Sequence, residues 1–406
     1  MKIAYFSTQM PFPPRHGGLV DDWARLRAFK AAGARLALTT WYADAGQPPA
    51  PEHIQALQSV AEVVHTLPIG PSLPERLMRL LRLVHWPSHV SSRIPSRQRQ
   101  AQLWSSLDAF APDAIWLDAL YPTVLAQAAA KRYGVPLFYR SHNIEHLYFA
   151  RQVARSITWR DRLAWSMNLP HLEQVERATW RAAHTVFDIS MDDLQTWRQQ
   201  GHHNGQWLPP LVQPATADSL SAPMDREPRY DVGYLGNLRT PNNIEGVVWL
   251  LREVLPLLRQ ARPDLTLVLA GSEPVQMIRD LVAQSPGVTL LENVPDAASV
   301  LRDARVLVNP ALTGSGVNVK SVEMLFTAAR IVSAPQGVAG LPDHVRACFS
   351  VAADAPGFAQ AVIDSLARGP LSPELELPTR LQARREFDFT RIERVLAVIQ
   401  AATARQ

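Results

Sequence analysis

Lys320 and Glu323 stand three residues apart in "NPALTGSGVNVKSVEML" (309–325), behind an Asn-Pro and a Gly-Ser-Gly turn. On one helix face such a pair can serve a nucleotide twice. The lysine neutralises a diphosphate as a compact point charge, and the carboxylate accepts two ribose hydroxyls. Gly314 and Gly316 let the backbone approach a ligand, because no Cβ intervenes. A solvated Lys–Glu pair at this spacing would be worth only about 0.2–0.5 kcal/mol. Two features favour the binding reading. Lys2, Lys30, Lys131 and Lys320 are the only lysines among 41 basic residues. The helix around the pair carries Val317, Val319, Val322, Met324 and Leu325, and a buried lysine needs an anionic partner.

The elements that position this pair are a strand and a helix. The apolar run 304–308, "ARVLV", reads as the strand, and the free N–H groups and dipole of a helix start favour an anion there. Other phosphate motifs are absent. There is no G-x-x-x-x-G-K-[ST], and "GSGVNV" lacks the third glycine of the dinucleotide fingerprint. No D-x-D occurs, so a carboxylate-held metal on the diphosphate is not expected, and the histidines lack zinc-like spacing. "GHHNG" (201–205) reads as a turn.

Short apolar runs at 2–8, 35–41, 63–69, 114–120, 136–141 and 185–190 read as strands buried on both faces, as a parallel sheet requires. Helical patterns lie between them, as in 19–32, which ends at Gly33. Residues 208–230 hold five prolines and no period, which marks an interdomain linker. The alternation then restarts with runs at 231–236, 265–271, 288–294, 304–310, 330–335 and 348–353, and a helix over 244–259. The chain of 406 residues therefore reads as two doubly wound α/β domains, 1–210 and 230–384, joined by 211–229. Ligands of such sheets bind beyond the strand carboxyl ends, so a central cleft between facing domains is the expected site.

The net charge of +4 is modest, and nucleic acid is not an expected partner. The single cysteine, Cys348, excludes an internal disulfide and fits a reducing compartment. The N-terminal apolar run is too short for a signal peptide and reads as the first strand, and no stretch approaches a membrane span. The expected location is cytoplasmic.

Together these segments resemble the GT-B glycosyltransferases, specifically the retaining family 4 group. The resemblance is carried by "PFPPRHGG", "YRSHNIE", "GYLGNLRTPNN", "LENVPD" before "LRDARVLVNP", "GSGVNVKSVEML" with "SAPQGVAGL", and the closing "FDFTRIERVL". It implies two Rossmann-like domains of GT-B type, the acceptor on the first and a nucleotide-sugar donor, UDP or GDP, on the second. The C-terminal helix, about 385–406, would return to the first domain. Carried over, Glu323 would hold the ribose, and Lys320 and Arg239 would meet the diphosphate. Gly314, Ser315 and Gly316 would face the phosphate and sugar, with Asn237, Val317 and Asn318 beside them. The base would stack near Asn293 and Val294, His142 would sit by the transferred sugar, and Gly17 and Gly18 would approach the donor phosphate. His16 and Glu145 would lie on the acceptor side. One departure is Ser315, where the family often carries a second Glu. No cofactor or metal is implied.

Each role has a plainer reading. His142 could be a hydrogen-bonded loop residue, Glu145 could cap the next helix, and Arg239 could bridge the domains. Asn242 and Asn243 look like an N-cap for the helix that follows. Alternatives for the whole chain are a sugar-nucleotide 2-epimerase of the same fold and a non-catalytic nucleotide-sugar-binding protein.

Residues 75–99 carry six arginines and one Glu among Leu77, Leu80, Leu81, Val84 and Trp86. Residues 151–181 carry Trp159, Trp165 and Trp180 among six more arginines. Basic amphipathic helices with tryptophan suit an anionic membrane surface. On an acceptor domain they suggest a lipid-linked or envelope-glycan acceptor at the inner face of the plasma membrane.

Overall fold

The computed structural model describes residues 1–14, 17–43, 48–70, 73–156, 158–224, 226–314, 316–372 and 374–404. The chain divides into two units, Met1–Leu208 with Thr390–Gln406, and Pro209–Phe389.

In the first unit, seven strands form one parallel sheet in the order β3-β2-β1-β4-β5-β6-β7. They are β1 (Lys2–Ser7), β2 (Arg35–Ala43), β3 (Val63–Ile69), β4 (Ala114–Asp118), β5 (Leu137–Ser141), β6 (Thr185–Asp188) and β7 (Gly205–Trp207). The central strands are apolar on both faces because crossover helices cover both. Ile3, Phe6, Ile115, Leu117 and Phe138 are fully buried, each worth roughly 1.5–3 kcal/mol. Chain order reverses between β1 and β4, and such a reversal opens a crevice at the strand carboxyl ends.

The second unit repeats the plan with β8 (Tyr230–Leu235), β9 (Leu267–Gly271), β10 (Val288–Glu292), β11 (Ala304–Asn309), β12 (Arg330–Ser333) and β13 (Ser350–Val351). Their order is β10-β9-β8-β11-β12-β13, all parallel, with the reversal between β8 and β11.

All twelve apolar runs form strands. The thirteenth, β7, begins inside the stretch read as a turn; three residues at a sheet edge are too few to form an apolar run. The helix expected over 244–259 spans Pro241 to Ala261, with a π turn at Leu250–Val254 just ahead of Pro256, which cannot donate a helical hydrogen bond. The expected linker is not structureless. It holds helix Pro214–Ser221, begun by a proline at its first position and anchored by buried Leu220. Two turns with one buried residue leave no legible period. Helix Ile392–Thr403 packs on helix Gly17–Ala31 within the first unit.

The two basic stretches differ from expectation. Residues 75–99 are not one helix but parts of Leu73–Arg82, Ser88–Ser91 and Arg97–Phe110. On the first of these Arg79 and Arg82 turn inward, while Arg76 stays exposed. Arg79 donates to Ser88 Oγ at 2.7 Å and Arg82 to the Ile94 carbonyl at 2.6 Å. The leucines face water: Leu77, Leu80 and Leu81 are 60%, 56% and 59% exposed. In the second stretch Trp180 is fully buried against Trp197, and Trp165 packs on Phe149; only Trp159 is exposed. Among the described residues no helix is long and apolar enough to cross a membrane.

Candidate active site

Each unit gathers its polar side chains where its chain order reverses. In the second unit Lys320 is the second residue of helix Val319–Leu325, which follows β11. Its Nζ donates to Tyr234 Oη at 3.0 Å and Asn243 Oδ1 at 2.8 Å, and lies 4.5 Å from the centroid of the Tyr234 ring. Tyr234 reaches it because β8 and β11 are neighbours. Gly236 leaves the space: a Cβ there would stand 2.5 Å from Tyr234 Oη and 3.2 Å from Nζ. Burial pushes Lys320 down to about 7, against the pull of Glu323, and burial pushes Glu323 up to about 7, against Lys320. The helix has only seven residues, so its dipole is small and the lysine is the main positive charge.

Around this pair, Gly314 (φ +146°) and Gly316 (φ +67°) occupy backbone conformations that favour glycine. Thr313 Oγ1 ties their loop to Glu245 at 2.6 Å. Val317 is buried and Asn318 is the residue before the helix. Asn237 shapes the β8 turn, its Oδ1 accepting from Arg239 N at 2.9 Å and its carbonyl from Asn243 Nδ2 at 2.9 Å. Asn243 is therefore not the expected N-cap. Thr240 holds that position without a side-chain cap, and Asn243 links the turn to Lys320. Arg239 is 72% exposed and faces Glu273 at 3.4 Å. Asn293 (φ +51°) accepts from Glu273 N at 3.1 Å. Val294 packs toward Val268, Ala270 and Val300 and lines a cleft of about 680 Å³ that Lys320 and Glu323 do not line. Ser315 lies outside the described residues.

In the first unit His142 follows β5, with Nε2 2.7 Å from Asp118 Oδ1 and Nδ1 3.9 Å from Asp21 Oδ2. Asp118 ends β4, and its Oδ2 accepts from Arg25 Nη2 at 2.7 Å, Arg25 Nε at 2.9 Å and Trp116 Nε1 at 3.2 Å. Asp21 takes Arg25 Nη1 at 2.8 Å and Arg140 Nη2 at 3.0 Å. Burial opposes the charge on Asp118 and Asp21, yet Arg25 holds both below the usual carboxylate range, helped by His142. Asp22 behaves oppositely. Burial and the Asp118 charge push it up to about 8, and its oxygens meet Tyr5 Oη and Ser7 Oγ, each at 2.5 Å. A buried carboxylate thus orients a half-exposed imidazole, an arrangement suited to holding one tautomer beside a substrate.

Gly17 and Gly18 open helix Gly17–Ala31 and are exposed; His16 lies outside the described residues. Glu145 is 4% exposed. Its amide donates to Glu176 Oε1 at 2.7 Å, its Oε2 takes the Tyr121 hydroxyl at 3.4 Å, and burial followed by the Glu176 charge pushes it up to about 8. It offers no surface carboxylate to an acceptor.

Residues 229–368, the body of the second unit, match the family described as Glycosyl transferases group 1. A Klebsiella pneumoniae protein described as an uncharacterized 44.6 kDa protein in the cps region is 22% identical over 373 residues, 89% of this chain and 90% of that one. Among solved structures, Anabaena Alr3699/HepE in complex with UDP superposes with a TM-score of 0.61 at 14% identity, over 99% of this chain and 100% of that one. Sucrose-phosphate synthase from Thermosynechococcus elongatus gives 0.66 at 14%, with the same coverage. The chain has the GT-B fold.

Within this GT-B chain, sequence reading missed Tyr234, Gly236 and Asn243 around Lys320, and Asp118, Asp21 and Arg25 around His142. A signal existed for the second group. Asp118 ends the otherwise apolar run "AIWLD", and Asp21 and Arg25 stand at i, i+4 in "DDWAR". An acid closing a buried strand must find a partner. No local signal marked Tyr234, which meets Lys320 only through strand order.

Proposed function

We propose that this protein is a retaining, metal-independent glycosyltransferase of family 4. It moves a sugar from a nucleoside-diphosphate sugar to an envelope, exopolysaccharide or lipid-linked glycan acceptor. The observation that carries the reading is Lys320, a half-buried ammonium whose hydrogen bonds among the described residues go to neutral oxygens, with Glu323 one turn further on. A diphosphate supplies the missing anion, and Glu323 accepts the ribose hydroxyls. The leaving diphosphate gains negative charge as the glycosidic bond breaks, and preorganised cations lower that barrier; Lys320 and Arg239 fill this role. His142, fixed by Asp118, contacts the transferred sugar. Retention implies front-face attack, with the leaving phosphate oxygen taking the acceptor proton.

UDP is favoured over GDP because Anabaena HepE was solved with UDP and with UDP-glucose. The cps-region setting of the Klebsiella relative favours polysaccharide synthesis. The 2-epimerase alternative needs catalytic acids beside His142, and Glu145, which follows it in the chain, is buried and pushed up to about 8. The exposed leucines of helix Leu73–Arg82, with exposed Arg76, Arg160 and Arg162 in the same unit, support contact with an anionic membrane surface, and so a cytoplasmic protein held peripherally.

The test is thermal stabilisation by UDP-, GDP-, ADP- and dTDP-sugars, followed by donor hydrolysis with and without EDTA and by the anomeric configuration of the product. Stabilisation by a UDP-sugar and its loss in Lys320→Ala are expected. No response to any nucleotide would remove the donor site, and an inverted product would remove retention.

A further inference from the structure

Arg93 in the first unit is 8% exposed. Its hydrogen bonds go to neutral oxygens: Nε donates to the Thr8 carbonyl at 2.9 Å and Nη1 to Ser92 Oγ at 2.6 Å. Its Nη2 meets no acceptor among the described residues, and its guanidinium carbon lies 5.8 Å from the centroid of the Tyr121 ring. His89 stacks on the same ring at 4.8 Å, and its Nδ1 is buried without a partner. Arg79 donates Nη2 to Ser88, the residue before His89, and forms no ion pair among the described residues.

Burial pushes Arg93 down to about 10, and burial pushes His89 down to about 4, with Arg93 and Arg79 both adding to the effect on His89. Two acids nearby do not supply the counter-charge. Glu75, on the helix of Arg79, pairs with Arg99 at 2.6 Å. Glu145, behind Tyr121, is pushed up to about 8 by burial and is neutral at pH 7. Elsewhere in this unit the buried guanidiniums of Arg25 and Arg140 are met by carboxylates. A desolvated cation without an anion is an arrangement that ligand sites retain and structural cores avoid.

We propose that Arg93, Arg79 and His89 form an oxyanion subsite that takes a phosphate group carried by the acceptor. Three donor groups from different backbone positions suit the three terminal oxygens of a phosphate better than the two of a carboxylate. The subsite connects to the candidate catalytic histidine. Arg93 holds the Thr8 carbonyl, Thr8 Oγ1 donates to the Asp118 carbonyl at 3.1 Å, and the Asp118 side chain holds His142. The acceptor role rests on the glycosyltransferase reading; phosphate binding does not. A phosphate on a lipid carrier and one on a soluble sugar share this chemistry. Arg79 comes from the helix that exposes Leu77, Leu80 and Leu81, so an apolar tail would have a surface to lie along.

Inorganic pyrophosphate is titrated calorimetrically into the full chain carrying Lys320→Ala, which removes the lysine of the second unit. One binding site is expected to remain, weakened at least tenfold by adding Arg93→Gln and less by Arg93→Lys. Should Arg93→Gln melt early, Arg79→Gln, at a half-buried position, reads the same loss. No pyrophosphate binding to the Lys320→Ala chain overturns the proposal, as does binding unchanged by both glutamine substitutions. Geranyl diphosphate binding more tightly than pyrophosphate assigns the site to a lipid carrier; equal binding assigns it to a soluble phosphorylated acceptor. UDP binding to the wild type is measured separately, so failure of the donor reading is seen apart from failure here.

Discussion

The two places where chain order reverses solve opposite problems. At β1/β4 the charges of Asp21, Asp118, Arg25 and Arg140 neutralise one another at 2.7–3.0 Å. At β8/β11 Lys320 meets only a phenol and an amide at 3.0 and 2.8 Å, and no carboxylate within ion-pair distance among the described residues. A closed network fixes geometry before any ligand arrives, whereas an open one is completed by a ligand. The pH response differs accordingly. Asp21 and Asp118 have lowered folded pKa values, so the stability they contribute is present above the ordinary carboxylate range and lost as pH falls below it. Lys320 is pushed down to about 7, so folding of the free protein becomes more favourable as pH rises from there toward the ordinary lysine value.

The largest effect should come from breaking the closed network. Asp118→Asn leaves Arg25 and Arg140 with only Asp21 as a charged partner, and removing one side of a buried pair costs about 3–5 kcal/mol. Urea unfolding should show this loss, whereas Glu323→Gln should leave stability within about 0.5 kcal/mol. Equal losses would erase the contrast between the two centres.

Lys320→Ala should reverse the pattern, with little change in stability but a fall in donor turnover of about 10²–10³, the scale of losing one preorganised transition-state donor. Steady-state hydrolysis of the UDP-sugar measures it. A change in KM with kcat intact would make Lys320 a binding group only.

How far these centres were legible follows from where their partners come from. Lys320, Glu323, Gly314 and Gly316 belong to one strand–turn–helix segment, and a 17-residue window contains their spacing. The strands were legible for the same reason, since burial on both faces writes an unbroken apolar run. Tyr234 and Asn243 lie 86 and 77 residues from Lys320 and arrive only because β8 lies beside β11. The Asp118 contact with Arg25 spans 93 residues. Arg79 and Arg82 misled for a different reason. A mixed Arg–Leu helix reads as a surface segment with its arginines outward, but the Ser88 hydroxyl and the Ile94 carbonyl draw Arg79 and Arg82 inward and leave the leucines in water.

A finer effect separates the two charges of the open centre. A diphosphate raises the pKa of Lys320 from about 7, so UDP affinity should fall as pH rises above 7, by at most about tenfold per unit. Ribose hydroxyls favour the ionised form of Glu323, also near 7 when free, so affinity should fall again on the acid side. Calorimetry across pH 5.5–9 should give a maximum near neutrality. Lys320→Arg should flatten the alkaline limb and Glu323→Gln the acid limb. A flat wild-type profile would mean that neither group titrates on binding.

The smallest expected change concerns the surfaces. In the second unit the exposed apolar side chains Met277, Val351, Leu375 and Leu381 are spread over three segments, only Leu375 and Leu381 falling at the start and middle of one helix, whereas in the first Leu73, Leu77, Met78, Leu80 and Leu81 share one helix. Scattered apolar side chains are ordinary, but a shared face marks a contact. Replacing Leu77, Leu80 and Leu81 together by serine should leave stability within about 0.5 kcal/mol per site, because water already reaches them. The same variant should lose sedimentation with vesicles of anionic lipid, and replacing Leu375 and Leu381 should not. Because Arg79 and Arg82 are spent inside the protein, added salt should weaken vesicle binding less than the serines do. Binding abolished by salt and untouched by the serines would give the contact to Arg76, Arg160 and Arg162 instead, and leave the leucine face without a role.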